Sequence, residues 1–269
     1  MSEIIDYYSK FDEWGRLDRE PLEYKVNMHF IRQNMPKSGK VLDNGAGPGK
    51  YAMELAKLGY RMTLTDLTPR LVEIAQAKAD ELELSPQFDR FLVRDARLLE
   101  GIPTEHFDAA LMMGPLYHLQ DEASRIQAVQ ELRRVTKTGG VVFVAVRSRI
   151  RKLLTALMFP EQWKPLHTME AIMEFKETGT FNHADQGRFT GAYFFPLAEI
   201  EPFFESHGFE TIELISSSGI GAGLTPAQWD YWRSRGEEER VLRLIYESAS
   251  DPSILGFGSH LLYIGRKMQ

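Results

Sequence analysis

The sequence predicts an α/β fold: a doubly wound, mostly parallel seven-stranded sheet with helices on both faces and added helical segments. Three observations predict it. From Lys40 onward, short apolar strand patterns alternate with helical ones, the signature of parallel strands joined by right-handed crossovers. A glycine-rich turn, Gly45-Ala46-Gly47-Pro48-Gly49, separates the first strand from the first helix of that series. Residues 141–146 are apolar throughout, as a strand covered on both faces should be.

The elements follow in order. Within 1–38, Tyr24, Met28 and Ile31 fall near helical spacing and Pro36 stops the helix. Residues 40–44 form a strand. Residues 51–58 form a helix with Ala52, Leu55 and Ala56 on one face and Gly59 as its stop. A second strand spans 61–66. Thr68 then caps a helix with Pro69 in its first turn, where a missing N–H costs nothing. Its buried face is Leu71, Ala75, Ala79 and Leu82. Strands are expected at 88–93 and 109–113, then a helix over 121–135 closed by Gly139-Gly140, then the apolar fifth strand over 141–146. The pattern changes at 147. Residues 149–192 hold two helices and a polar, glycine-containing loop at 182–190; helices at 196–207, 226–235 and 237–248 and strands at 209–215 and 260–264 complete the chain. This layout gives an N-terminal helical cap (1–38), a core (39–148), a lid or substrate insertion (149–192), and a C-terminal completion of the sheet (193–269) that carries a helical insertion at 219–250.

Composition narrows the function. The chain has 269 residues, 43% of them hydrophobic, enough for one large core and a modest subdomain. There is no cysteine, which excludes disulfides, thiolate metal sites and a cysteine nucleophile and suits a cytoplasmic location. The amino terminus is acidic and aromatic, without an apolar signal core. No apolar run approaches the ~20 residues that span a bilayer. A net charge of −6 disfavours a nucleic-acid substrate. The seven histidines show no metal-ligand spacing, so no catalytic metal is expected.

The glycine turn carries the most chemistry. Residues 41–49 read Val-Leu-Asp-Asn-Gly-Ala-Gly-Pro-Gly, the strand–turn–helix of a nucleotide-binding unit. A dinucleotide turn wants glycine at its first, third and sixth positions, and the sixth here is Lys50. No Gly-Lys-Ser/Thr follows, so it is not a P-loop. The Gly-x-Gly-x-Gly string with Asp43 before it resembles the first motif of the class I S-adenosylmethionine-dependent methyltransferases. That resemblance implies a Rossmann-like sheet ending in an antiparallel last strand, S-adenosyl-L-methionine as cofactor, and direct in-line transfer of its methyl group.

Candidate cofactor contacts come in chain order. Gly45, Gly47 and Gly49 let backbone approach a ligand where a Cβ would clash. The helix N-terminus behind them offers N–H groups to the cofactor's carboxylate. Asp43 is expected to bond the loop backbone, or the cofactor's ammonium through water. Asp66 ends the second strand, 23 residues after Asp43; an acid there bonds the hydroxyls of a ribose, or is an ordinary acid at a helix start. Leu67 can pack on the adenine. Asp95 and Ala96 follow the third strand and resemble the family's adenine-binding pair, unless Asp95 is a solvated turn residue. Met113 closes the cofactor set.

Gly114-Pro115-Leu116-Tyr117-His118-Leu119 follows the fourth strand, where the resemblance places the transferring methyl. The segment looks like that of small-molecule O-, N- or C-methyltransferases. Gly114 and Pro115 are expected at the substrate. Tyr117 can face a sulfonium by a cation–π contact. His118 is the first candidate general base, or simply bonds backbone. His183 is the second. Arg147, Ser148 and Arg149 follow the fifth strand; the arginines bind a substrate carboxylate or phosphate, or cap the sheet. Phe181, Arg188, Phe189, Tyr193 and Phe194 line a pocket or belong to the core.

The leading expectation is a small-molecule methyltransferase, monomeric or homodimeric. A tRNA or protein methyltransferase, a non-catalytic nucleotide-binding protein on the same scaffold, and an NAD-dependent reductase are the alternatives, the last disfavoured by the glycine spacing.

Overall fold

The computed structural model describes residues 5, 7–9, 14–15, 21–183 and 191–269. Phe189 and Arg188 lie outside the described residues.

Five parallel strands form the heart of the sheet: β1 (Lys40–Asn44), β2 (Arg61–Asp66), β3 (Phe88–Val93), β4 (Phe107–Met112) and β5 (Thr136–Arg147). A short hairpin, β6 (Thr180–Phe181) and β7 (Ala192–Tyr193), stands apart. Two further strands, β8 (Phe209–Ser216) and β9 (His260–Lys267), complete seven strands in the order β3-β2-β1-β4-β5-β9-β8. β9 runs antiparallel to both neighbours. The order reverses between β1 and β4, which makes that junction the topological switch point where α/β sheets bind ligands.

Two buried clusters cover the two faces of the sheet. One joins Val41, Met62, Leu64 and Phe143 to the helix Pro21–Asn34 and the helix Lys50–Lys57. The other joins Leu42, Phe107, Val142 and Val144 to the helix Glu122–Val135 and the helix Leu197–Glu205. Alternate residues of each strand thus enter opposite layers, as a pleat requires.

One boundary differs from the sequence pattern. The helix Glu122–Val135 runs straight into β5 at Thr136, and Gly139-Gly140 lie inside the strand rather than ending the helix. Phe107 pairs with Thr136 while Ala109 pairs with Val141, so the glycines form an irregular bulge. Gly139 has φ +79°, and a Cβ on Gly140 would lie 2.8 Å from the Lys137 carbonyl oxygen.

The helices Arg149–Met158 and Met169–Thr178 build a third cluster with Phe181 and Phe194, and it reaches the sheet through Tyr117 and Ala145. Lys152 is buried at its centre, its Nζ 3.3 Å and 3.8 Å from the ring centroids of Trp163 and Phe181. Burial first, then the charge of Arg147, brings this ammonium down to about 7. Near neutral pH the cluster therefore holds an amine that binds its proton weakly. The helices Pro226–Ser234 and Glu238–Glu247 add to the first cluster through Ile245, and Thr225 with Gln228 forms a capping box at the first of them. Among the described residues, no helix is long and apolar enough to cross a membrane.

Candidate functional site

A single cleft lies at the C-terminal ends of β1 to β4, with about 1120 Å³ of empty space including its open mouth. Its floor is the turn after β1. Gly45 and Ala46 donate their N–H groups to the Thr65 carbonyl (2.8 and 3.0 Å), which ties the turn to β2. Gly45 has φ +72°, and a Cβ there would lie 2.0 Å from Pro115 Cγ. The first glycine thus lets the turns after β1 and β4 touch. Gly49 does not line the cleft. It caps the helix Lys50–Lys57 at φ +86°, and its Cβ would meet Leu64 Cδ1 at 2.8 Å, so its absence of a side chain serves helix–strand packing. The expected ligand approach applies to Gly45 and Gly47, which do line the cleft.

Asp66 welds two parts of this floor. Its Oδ2 accepts from Gly47 N–H and its Oδ1 from Thr68 N–H, both at 2.8 Å. Thr68 is the N-cap residue of the helix Pro69–Glu81 but its side chain makes no cap bond, and Asp66 fixes the N–H of that residue. Burial pushes the Asp66 carboxyl up; the bonds from Thr68 and Gly47 act against that. Each carboxylate oxygen has capacity for a second donor, so a diol can bind alongside the backbone.

Asp43 departs from expectation. It is 1% exposed and neither oxygen has a hydrogen-bond partner among the described residues, so it does not bond the turn's backbone. Burial, then the charge of Asp66, raises its carboxyl to about 7. The Ala52 backbone N–H eases this only in part, and a buried acid so poorly supplied with donors at a cleft is costly unless a ligand completes it. A cationic ligand with a carboxylate tail and a ribose fits this floor: Asp43 for positive charge, Asp66 for the diol, and the helix end for the carboxylate.

The cleft continues along β3 and β4. Leu67, Ala96, Met113, Gly114 and Pro115 line it, as does Asp95. Asp95 already holds Arg97, whose Nη2 lies 2.6 Å from Oδ2 and whose Nε lies 3.0 Å from Oδ1. Burial raises the Asp95 carboxyl, but the Arg97 bonds and charge outweigh it and hold it below the usual range. Any adenine amino group shares Asp95 with this arginine.

Tyr117 and His118 lie in the cleft on the short helix Pro115–His118 rather than in a loop. His118 Nδ1 is 3.2 Å from the Gly191 carbonyl and its Nε2 is 2.9 Å from the Tyr8 hydroxyl. The carbonyl only accepts, so Nδ1 carries the proton and Nε2 accepts from Tyr8. One ring nitrogen of His118 thus bonds backbone and the other bonds the Tyr8 hydroxyl.

The remaining candidates are elsewhere. Arg149 donates to the Phe194, Lys176 and Glu177 carbonyls and to the Tyr193 hydroxyl, closing the C-terminus of the helix Met169–Thr178. Tyr193 also stacks under Arg125, 3.5 Å from its ring centroid. Arg147 donates to Ser259 and lies 5.8 Å from the Tyr117 ring centroid. His183 packs between Trp163 and Phe181. None of these four lines the cleft. The substrate-binding expectation for Arg149 and Tyr193 is corrected: Arg149 is spent on the carbonyls of Lys176, Glu177 and Phe194, and Tyr193 on Arg149 and Arg125.

The pattern reading missed Tyr8, Glu23 and Tyr51, all of which line the cleft. Glu23 is a first-turn acid of the helix Pro21–Asn34, and Tyr8 sits 110 residues from the histidine it bonds. No group of His, Asp or Glu among the described residues could hold a metal ion.

Comparisons with known proteins agree with this geometry. Residues 41–140 match a family model described as a methyltransferase domain. A ubiquinone biosynthesis O-methyltransferase of Xanthomonas oryzae pv. oryzae is 31% identical over 154 residues, 55% of this chain and 62% of that protein. The chain thus spans less than two thirds of the length of such curated relatives. Among solved structures, a SAM-dependent methyltransferase from Methanosarcina mazei superposes with a TM-score of 0.60 at 19% identity, covering 89% of this chain and 97% of that one. The Burkholderia thailandensis 1,6-didemethyltoxoflavin-N1-methyltransferase, solved with 1,6-didemethyltoxoflavin and S-adenosylhomocysteine, has a TM-score of 0.57 at 16% identity, covering 99% and 85%. Residues 41–140 thus match a methyltransferase domain, and the fold of the chain is that of S-adenosylmethionine-dependent methyltransferases.

Proposed function

We propose that this protein transfers a methyl group from S-adenosylmethionine directly to a small-molecule acceptor in the cytoplasm. The observation that carries the reading is the acceptor end of the cleft. There, side chains from three distant parts of the chain, Tyr8, Glu23 and the Tyr117-His118 pair, line the same cleft. Such a space suits a compact acceptor better than a polymer. The acidic net charge of −6 also argues against RNA. The ubiquinone biosynthesis relatives are O-methyltransferases by name, which favours a hydroxyl as the group modified.

When bound, S-adenosylmethionine supplies a methyl group activated by a sulfonium. What remains for the chain is alignment and exclusion of water. Asp43 offers negative charge to the cationic ligand, and Asp66 with Gly47 holds the ribose side. Tyr117, buried at the junction of sheet and insertion, presents a rigid aromatic wall. Nε2 of His118 receives the proton that the acceptor releases, by way of the Tyr8 hydroxyl that already donates to it.

The test is transfer of labelled methyl from S-adenosylmethionine into a metabolite extract, with tRNA and total protein as parallel acceptors. Label is expected in low-mass compounds, and label confined to tRNA or protein would overturn the reading. His118→Asn should bind S-adenosylhomocysteine within about twofold of wild type and lose ~10²-fold in turnover. Undiminished turnover in that variant removes His118 from the proton path.

A further inference from the structure

Among the described residues, four acids line the cleft. Asp43, Asp66 and Asp95 sit at the ends of β1, β2 and beyond β3, where the cofactor lies in this family. The fourth, Glu23, comes from the helix Pro21–Asn34 on the acceptor side, and the cofactor-binding turns do not account for it. Its Oε2 is 2.9 Å from His260 Nδ1, with the two side chains only 16% and 13% exposed. His260 opens β9 and pairs with Arg147 of β5 at the sheet edge that carries the cleft. Its ring stands 5.6 Å from that of Tyr117, and the His118 ring is 4.9 Å from the same tyrosine.

A carboxylate oxygen this close to an imidazole nitrogen keeps a proton on that nitrogen, since two lone pairs would repel. The proton ties the carboxylate to the start of β9. His260 does not itself line the cleft; it stands behind Glu23 and fixes it. An ionised carboxylate only accepts hydrogen bonds. Held in place beside Tyr117, it rewards a ligand that presents a donor and penalises one that presents a lone pair.

We infer that Glu23 is the acceptor-binding carboxylate, positioned by His260, and that it selects acceptors bearing an O–H or N–H donor. This rests on the small-molecule methyltransferase reading and deepens it. The division of labour is then spatial. Tyr8 and His118 form one pair beside Tyr117 and receive the proton; Glu23 and His260 form a second pair and orient the molecule that releases it.

The experiment is a binding titration of the S-adenosylhomocysteine-loaded full chain with catechol, which carries two donors, and with 1,2-dimethoxybenzene, which has none. Wild type should bind catechol at least ~10-fold more tightly than the dimethyl ether, because a site built around a polar partner rejects the ligand that lacks it. Glu23→Gln should lose ~10-fold or more in catechol affinity while keeping its melting temperature and its affinity for S-adenosylhomocysteine. His260→Leu should lose a similar factor. His260→Asn, which restores an N–H near the Nδ1 position, should recover most of it, and a merely structural role would give no such rescue. Equal catechol affinity in wild type and Glu23→Gln, or equal affinity of wild type for both probes, overturns this inference alone. Failure of wild type to bind S-adenosylhomocysteine overturns the methyltransferase reading, and this inference with it.

Discussion

Asp66→Ala should weaken S-adenosylhomocysteine binding by ~10²- to 10³-fold, the largest loss expected from any single side chain at the site. Two effects add. The variant loses the carboxylate that faces the ribose, and it strands the N–H groups of Gly47 and Thr68, both of which Asp66 now satisfies. Each buried donor left unpaired costs about 1–3 kcal/mol, so a fall in stability should accompany the fall in affinity. Asp66→Asn separates the contributions. An amide retains one acceptor and the shape, so it should preserve most of the stability and still bind the ligand poorly. Calorimetric titration beside chemical denaturation reads both. An Asp66→Ala protein that binds S-adenosylhomocysteine as wild type does would remove the ribose role.

Gly45→Ala should be nearly as damaging, and for a steric reason. The residue has φ +72°, and its new Cβ would overlap Pro115 Cγ at 2.0 Å. A left-handed conformation costs a residue with a Cβ about 1–2 kcal/mol. Forcing apart the turns after β1 and β4 adds about 1–3 kcal/mol. Because both turns line the cleft, cofactor affinity should fall ~10²-fold with that strain. Gly59→Ala is the matched control. Gly59 has φ +93° but nothing within 4 Å of the added Cβ, so it carries the conformational cost alone. It should destabilise by about 1 kcal/mol and leave affinity unchanged. If the two variants bind S-adenosylhomocysteine equally, the contact between the turns has no part in the site.

Much of this architecture was legible because local chemistry and long-range fold agree. β1 lies between Gly39 and Gly45, and β2 ends on Asp66. Their order along the chain then dictated which turns would share an edge. The cleft acids Asp43, Asp66 and Asp95 could be read because they stand at or just beyond the C-terminal ends of β1, β2 and β3 beside the switch point. The start of β5 was not legible, since Gly139-Gly140 looks the same as a helix stop and as a strand bulge.

The acceptor end was harder to read. Position at the right edge was visible for Arg149, but its direction was not. Ser148 caps the helix that begins at Arg149, and this turns the guanidinium toward the carbonyls of the insertion instead of the cleft. Tyr8 and Glu23 gave no local sign at all. Their partners, His118 and His260, are supplied by the folded sheet from far along the chain. Residues whose role is created by tertiary contact leave no spacing to find.

The central claim is that the turn at 45–49, Asp43 and Asp66 form a site for an adenosyl-sulfur ligand and not for a dinucleotide. Calorimetric titration of the wild-type chain with S-adenosylhomocysteine, and separately with NAD, tests it most directly. One S-adenosylhomocysteine per chain with no measurable NAD binding is the predicted result. Tight binding of NAD, with S-adenosylhomocysteine failing to bind, would contradict it.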